Sequence, residues 1–195
     1  MEVRKQEKSR YEPGEDSFLL LNAAVKWLEA NARQGIRVLD MGTGSGFIID
    51  GIARSLAERR INAELWASDI DEKPKLPKGV SFVRSDLFSS VHGMFDLVLF
   101  NPPYLPEAKE DRYLANAEKA QLVGGPKGNE LTLRFLDQLP LHLAPDGTCL
   151  LLTSSVAHPD ETTLHAVSLG LVVQSVAGES FPFERLSVFL MSRRK

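Results

Sequence analysis

Apolar positions along the chain follow two rhythms. From Asp16, a candidate N-cap, Phe18, Leu21, Val25 and Leu28 recur at helical spacing, while Asn22, Lys26 and Glu29 supply a polar side. Residues 36–40 form a short apolar run that predicts a buried strand, followed by a glycine-rich turn and a helix over about 47–59. Further strands are predicted at 64–69, 80–84 and 95–101. Residues 102–128 are rich in proline and charge and predict a loop. A helix follows over about 130–143, where Pro140 kinks or ends it, then a turn at Pro145-Asp146-Gly147 and a strand at 148–153. His158-Pro159-Asp160 opens a helix reaching Leu169, and strands at 171–177 and 186–191 complete the pattern.

Strands alternating with helices imply βαβ units and a mainly parallel sheet. The last two strands break the rule, because the loop between them is too short for a crossover helix and they must pair antiparallel. An α/β chain with a seven-stranded, mostly parallel sheet and a C-terminal antiparallel hairpin is similar to the Rossmann-like class I methyltransferases. Residues 1–15 are polar and predict an N-terminal arm; residues 16–195 predict a single domain.

Composition narrows the function classes. A chain of 195 residues with 43% hydrophobic and 25% charged residues is ordinary globular material for one α/β domain. Cys149 is the single cysteine, which excludes an intramolecular disulfide and a multi-cysteine metal site and fits a reducing cytoplasm. His92, His142, His158 and His165 lack metal-ligand spacing, so no metal is expected. No apolar run has membrane-spanning length, and Arg4, Lys5, Lys8 and Arg10 make the N-terminus too polar for a secretory signal. The net charge of −3 argues against a protein that grips duplex phosphates.

Candidate chemistry sits at the ends of predicted strands, where open α/β sheets bind ligands. Gly42, Gly44 and Gly46 follow the first strand in GxGxG spacing, and Phe47 stands where a dinucleotide fingerprint needs a small residue. Asp40, just before the glycines, is placed to receive an ammonium directly or through water. Asp69 ends the second strand and can accept ribose hydroxyls, with Ile70 against an adenine face. Asp71 is as well explained as a turn cap. Asp86 and Leu87 follow the third strand, with Asp86 a candidate acceptor for the adenine amino group. Each acid alone is more often a solvated surface charge, and the glycines alone are a strand-to-helix turn; together they describe a site for S-adenosylmethionine.

The fourth strand runs into Asn101-Pro102-Pro103-Tyr104. An amide or aromatic amine nitrogen is a poor nucleophile because its lone pair is delocalised. The side-chain oxygen of Asn101 and the backbone carbonyl of Pro102 can accept both N–H groups, orienting the nitrogen and raising its electron density. Pro102 and Pro103 stiffen the loop, and Tyr104 can stack on a planar acceptor. Read alone, the four residues are equally a rigid turn.

Here the chain resembles the HemK-like protein-glutamine methyltransferases, in particular the short eukaryotic and archaeal branch acting on class I release factors. The residues carrying the resemblance are Tyr11-Glu12-Pro13-Gly14-Glu15-Asp16-Ser17, the glycine turn, Asp69-Ile70-Asp71, Asn101 to Tyr104, Gly124-Gly125-Pro126-Lys127-Gly128 and Glu184-Arg185-Leu186-Ser187-Val188. The resemblance implies that the entrance segment, with Pro13, Glu15 and Ser17, helps close the cofactor and acceptor pocket. It implies a glutamine acceptor in a Gly-Gly-Gln loop, and a small zinc-binding activator protein docking beside the cofactor domain. The strand edge at Val80 and Phe82, with Leu76 and Leu87, is the candidate docking surface or else an ordinary edge. Bacterial members carry an additional N-terminal helical domain; only about fifteen residues precede the first predicted helix here, so substrate recognition is expected from the core or a partner.

Two rivals stand beside this reading. Exocyclic amines of adenine or guanine are methylated through similar Asn-Pro-Pro-aromatic motifs, which makes a nucleic-acid methyltransferase the alternative. Glu107, Glu110, Asp111 and Glu118 would repel phosphates there, although Lys109, Arg112 and Lys119 are interspersed. The second rival is a non-catalytic cofactor-binding subunit.

Overall fold

Two strands with almost no polar residue define the centre of the molecule. β1 (Ile36–Met41) is buried except at Arg37, and β4 (Phe95–Phe100) is buried except at Asp96. Strands apolar on both sides belong where helices cover both faces of a sheet. The computed structural model describes residues 13–72, 74–108, 119 and 121–194. In chain order the remaining elements are α1 (Glu15–Asn31), α2 (Phe47–Glu58), β2 (Ala63–Asp69), β3 (Val80–Arg84), β5 (Leu105–Pro106), β6 (Val123–Gly125), α3 (Glu130–His142), β7 (Leu143–Ser154), α4 (Pro159–Ser168), β8 (Leu171–Ser180) and β9 (Arg185–Arg193).

Seven strands form one sheet in the order β3-β2-β1-β4-β7-β9-β8. The pairs β1–β2, β1–β4, β2–β3 and β4–β7 are parallel, whereas β9 runs antiparallel to both β7 and β8. Winding leaves β1 toward β2 on one side and passes to β4 on the other, so the crevice for a ligand lies beyond the carboxyl ends of β1 and β4.

Because side chains alternate along a strand, the sheet supplies two cores. Val38, Leu97, Leu99, Leu150 and Leu152 pack with Leu20, Ala24 and Leu28 of α1 and Ile49 and Ile52 of α2. Leu39, Met41, Val98, Phe100 and Leu151 pack on the other side with Phe135, Leu136 and Leu139 of α3 and Ala166 of α4. Cys149 lies in this second core, where burial pushes its thiol pKa up and keeps it inert.

Several expectations change. Asp16 is not the N-cap of α1: Gly14 holds that position, and Asp16 is a buried first-turn residue. The buried face of α1 carries Leu20, Ala24 and Leu28, while Phe18 is 51% exposed and meets the Phe47 ring edge-on at 4.9 Å. The run Phe18-Leu19-Leu20-Leu21 is apolar on every side, so spacing alone cannot select the inward face. Pro140 sits in the last turn of α3 without ending it. The Pro145-Asp146-Gly147 turn is absorbed into β7 as a register shift against β4. β8 extends beyond 177 to Ser180, and the loop expected over 102–128 contains the short parallel pair β5–β6. The expected arm at 1–15 falls mostly outside the described residues, as do Tyr11 and Glu12 of the entrance segment and Lys109, Glu110, Asp111, Arg112 and Glu118. Among the described residues, no helix is long and apolar enough to cross a membrane.

Candidate functional site

A cavity of about 690 Å³ opens beyond the strand ends. Its wall includes Gly42 and Gly44 after β1, Asp69 and Ile70 after β2, Asp86 and Leu87 after β3, and Asn101 to Tyr104 after β4. Asp16 and Ser17 at the start of α1 close one side. The candidate residues from four separate strand ends therefore meet on one surface, with two exceptions.

The exceptions are Asp40 and Gly46, neither of which lies on the wall. Asp40 is 1% exposed; its Oδ2 accepts the Thr43 hydroxyl at 2.6 Å, and its carboxylate also accepts the Ile49 backbone N–H. α2 has no side-chain cap of its own, so Asp40 satisfies a donor of its first turn from below. Asp40 is therefore behind the lining in this structure, while its hydrogen-bond partner Thr43 lines the cavity. Burial, and secondarily the charge of Asp69, raises the Asp40 pKa to about 7 against the lowering effect of the Thr43 bond. Gly46 serves the turn instead. Its φ of 85° is left-handed at the N-cap of α2, and a Cβ there would stand 2.8 Å from Leu76 Cδ2.

Asp69 also acts within the scaffold. Its Oδ2 accepts the Gly44 N–H at 2.8 Å and its Oδ1 accepts the Asp71 N–H at 3.0 Å, tying the glycine turn to the end of β2. Leu87 adopts φ 49°, a left-handed conformation costing roughly 1–2 kcal/mol for a non-glycine residue. Burial of Leu87 and Phe88 holds that bend and presents Asp86 at the rim. Asp86 pairs with Arg134 of α3 at 2.8 Å across the rim.

The Asn101 amide is held in one orientation. Its Nδ2 donates to Asp16 Oδ2 at 3.0 Å, while Asp16 Oδ1 accepts the Ser17 N–H at 2.7 Å. An ionised carboxylate only accepts, so this contact fixes which end of the amide faces away from Asp16. The other end, Oδ1, is buried with no hydrogen-bond partner among the described residues. A buried carbonyl oxygen without a donor costs about 1–3 kcal/mol, and Asn101 is one of the residues lining the cavity.

The loop after β4 is braced by the segment Gly124 to Gly128. A Cβ on Gly124 would lie 2.4 Å from the Pro103 carbonyl oxygen, and one on Gly128 would lie 2.4 Å from that of Tyr104. Only glycine permits this approach, so the two backbones lock together. Tyr104 is half-buried, and burial raises its phenol pKa, helped by the negative charges of Asp16, Glu184 and Glu15. It stays a neutral donor in an acidic neighbourhood.

Asp16, Thr43, Arg134 and Glu184 are wall residues that spacing did not single out for these positions. Asp16 carried a signal, an acid in a helix's first turn, that reads as capping unless the partner on β4 is known. Glu184 is held by the Ser154 hydroxyl at 2.7 Å. At the sheet's far edge, β3 pairs only with β2 among the described residues, with Val80 buried and Phe82 half-buried. Leu87 is buried and Leu76 covers Gly46, so what this edge offers is backbone rather than an apolar patch. Among the described residues, no three His, Cys, Asp or Glu side chains gather as metal ligands.

The raised Asp40 pKa makes a testable link to stability. Its folded value of about 7 lies above the unfolded 3.8, so its protonated form favours folding. That contribution is full below the unfolded value and is lost as pH rises through 7. Thermal unfolding of the ligand-free protein should show Tm falling between pH 5 and 8, and Asp40→Asn should flatten that slope; equal slopes would remove the assignment.

The chain matches no protein-family model. It is 36% identical over 182 residues to a protein of Methanocaldococcus jannaschii named putative protein N5-glutamine methyltransferase, covering 91% of this chain and 89% of that protein. It is 32% identical over 199 residues to methyltransferase HEMK2 of Mus musculus, covering 94% and 89%. Among solved structures it is similar to the Mtq2 subunit of the E. cuniculi Mtq2–Trm112 complex, which methylates the eRF1 translation termination factor, with TM-score 0.71, 25% identity and coverage of 94% and 98%. The arrangement of strand-end residues and these likenesses agree: the chain belongs to the HemK-like protein-glutamine methyltransferase family.

Proposed function

We propose that this methyltransferase uses S-adenosylmethionine to methylate the side-chain amide nitrogen of a protein glutamine, in the Gly-Gly-Gln loop of a class I translation release factor. The observation that carries the reading is the buried Oδ1 of Asn101, without a donor among the described residues, on an amide held through its Nδ2 by Asp16. A primary amide brings the N–H that this oxygen lacks.

The walls suit the cofactor. Asp69 retains lone pairs for ribose hydroxyls, Ile70 and Leu87 offer apolar surface to adenine, and the Asp86 carboxylate meets its amino group while paired with Arg134. Gly42 and Gly44 let the ligand approach backbone, and Ser17 borders its amino-acid end. When bound, it supplies an electrophilic methyl on a sulfonium sulfur.

The chain's own residues prepare the nucleophile. Asn101 Oδ1 and the Pro102 carbonyl accept the two N–H groups of the acceptor amide. Both acceptors are fixed before substrate arrives, so orientation is not lost to rotation at the moment of reaction. Pro103 and Tyr104 bound the acceptor slot, and Gly124 and Gly128 keep that loop from moving. The negative charges of Asp16, Glu184 and Glu15 around Tyr104 disfavour a phosphodiester backbone beside the slot, which weighs against nucleic acid.

A small zinc-binding activator docks, in this reading, by adding a strand to β3, whose outer edge has no neighbour among the described residues. The solved neighbour is itself a complex with Trm112. The enzyme acts in the cytoplasm as a single domain from residue 16 onward.

Labelled methyl should pass to a recombinant release factor and vanish when the glutamine of its Gly-Gly-Gln loop is replaced, in the presence of the activator. Label retained after that replacement would refute the acceptor. Within the enzyme, Asn101→Ala should lower kcat roughly 10²–10³-fold while leaving cofactor Kd within a few-fold. Asp69→Ala should instead weaken the cofactor first. An exchange of these two phenotypes, read by calorimetry and single-turnover kinetics, would overturn the division of roles.

A further inference from the structure

Phe183 is 95% exposed. Exposed apolar side chains scattered over a surface carry no message by themselves. This one differs in where it stands and how firmly it is held. It occupies the four-residue connection between β8 and β9, flanked by Pro182 and by Glu184, which lines the cavity. β9 begins opposite the carboxyl end of β7, so the connection lies on the same face of the sheet as the cavity, with Phe183 next to the wall residue Glu184.

The connection is fastened on both sides. The Phe181 N–H donates to the Glu184 carbonyl at 2.8 Å. The Ser155 N–H donates to the Arg185 carbonyl at 2.9 Å, and the Arg185 N–H donates to Ser155 Oγ at 2.9 Å. The Ser154 hydroxyl holds the Glu184 carboxylate. Phe181 turns inward and packs on the same core as Tyr104. Pro182 is a turn residue, but a turn asks nothing of a phenylalanine at 183. An aromatic ring with two rotatable bonds on a braced loop is a low-entropy anchor, the kind of residue that dominates protein contacts.

The surroundings limit the occupant. Glu184 and Glu15 both act on Tyr104, and Glu179 is exposed at the end of β8. Arg185, the nearby cation, is turned back onto Ser180 Oγ at 2.9 Å. A partner seated here is apolar at the ring and basic around it.

We infer that Phe183 is a docking anchor for the protein substrate, gripping an apolar side chain, flanked by basic residues, that lies close to the acceptor in the folded substrate. The inference rests on the proposed protein acceptor and adds how that acceptor is selected. An anchor outside the chemistry contributes to binding alone, so it acts on KM.

The test is steady-state methylation of an intact release factor by the activator-bound enzyme, comparing wild type, Phe183→Ala and Phe183→Leu, with cofactor Kd measured in parallel. Phe183→Ala should raise the KM for the release factor about tenfold or more with kcat within about twofold, and Phe183→Leu should recover most of the loss. Unchanged KM, or a KM change matched by weaker cofactor binding, would overturn the anchor while leaving the acceptor reading intact. A wild-type enzyme that neither binds nor methylates the release factor would remove that reading and this one with it. A loss of self-association or of activator binding in Phe183→Ala, with KM unchanged, would assign the ring to a second copy or to the activator and refute substrate docking.

Discussion

The hydrogen bond from Asn101 Nδ2 to Asp16 Oδ2 is the contact on which the site depends. It joins the first helix to the end of the fourth strand, 85 positions apart in the chain, and its direction is forced by chemistry because a carboxylate cannot donate. The amide oxygen is thereby left in a buried place without a partner among the described residues. Stability is given up locally and an acceptor is gained. Proteins tolerate such groups where a ligand completes them.

The fold makes that contact possible and then protects it. Central strands apolar on both faces place their carboxyl ends side by side, so loops distant in sequence share one crevice. Asp69 fastens the glycine turn to β2, and Asp40 stabilises the start of α2 beneath it. Gly124 and Gly128 press backbone to backbone against Pro103 and Tyr104. For the proposed function this amounts to a rigid floor for the cofactor and a rigid wall for the acceptor, with Asn101 at their junction, and the proposed recognition of a large substrate at the rim, where the β8–β9 connection carries Phe183.

Much of this was legible from residue order. The parallel sheet, its reversed C-terminal hairpin and the strand ends bearing Asp69, Asp86 and Asn101 follow from periodicity and glycine spacing, because those signals are local. What escaped was relational. Asp16 reads as a cap from its position, and only the tertiary fold shows its carboxylate on Asn101. Asp40 is placed by its position before the glycines, and only the tertiary fold shows its bonds to Thr43 and to the start of α2. The inward face of α1 was not decidable from an all-apolar run. The short pair β5–β6 lay hidden in a stretch whose prolines and glycines signal loop, since its purpose is close backbone approach rather than side-chain burial. The family resemblance marked Gly124 to Gly128 without giving their reason, which is the space a Cβ would take.

In the proposed function Asp16 acts through Asn101 and not through the cofactor. The direct measurement is single-turnover methyl transfer by Asp16→Ala beside wild type, together with cofactor affinity and the effect of the further change Asn101→Ala. Expected are a large fall in the chemical rate, cofactor Kd within a few-fold, and little added loss in the double variant, because the two residues act as one unit. Losses that multiply independently, or a fall explained by weaker cofactor binding, would contradict it.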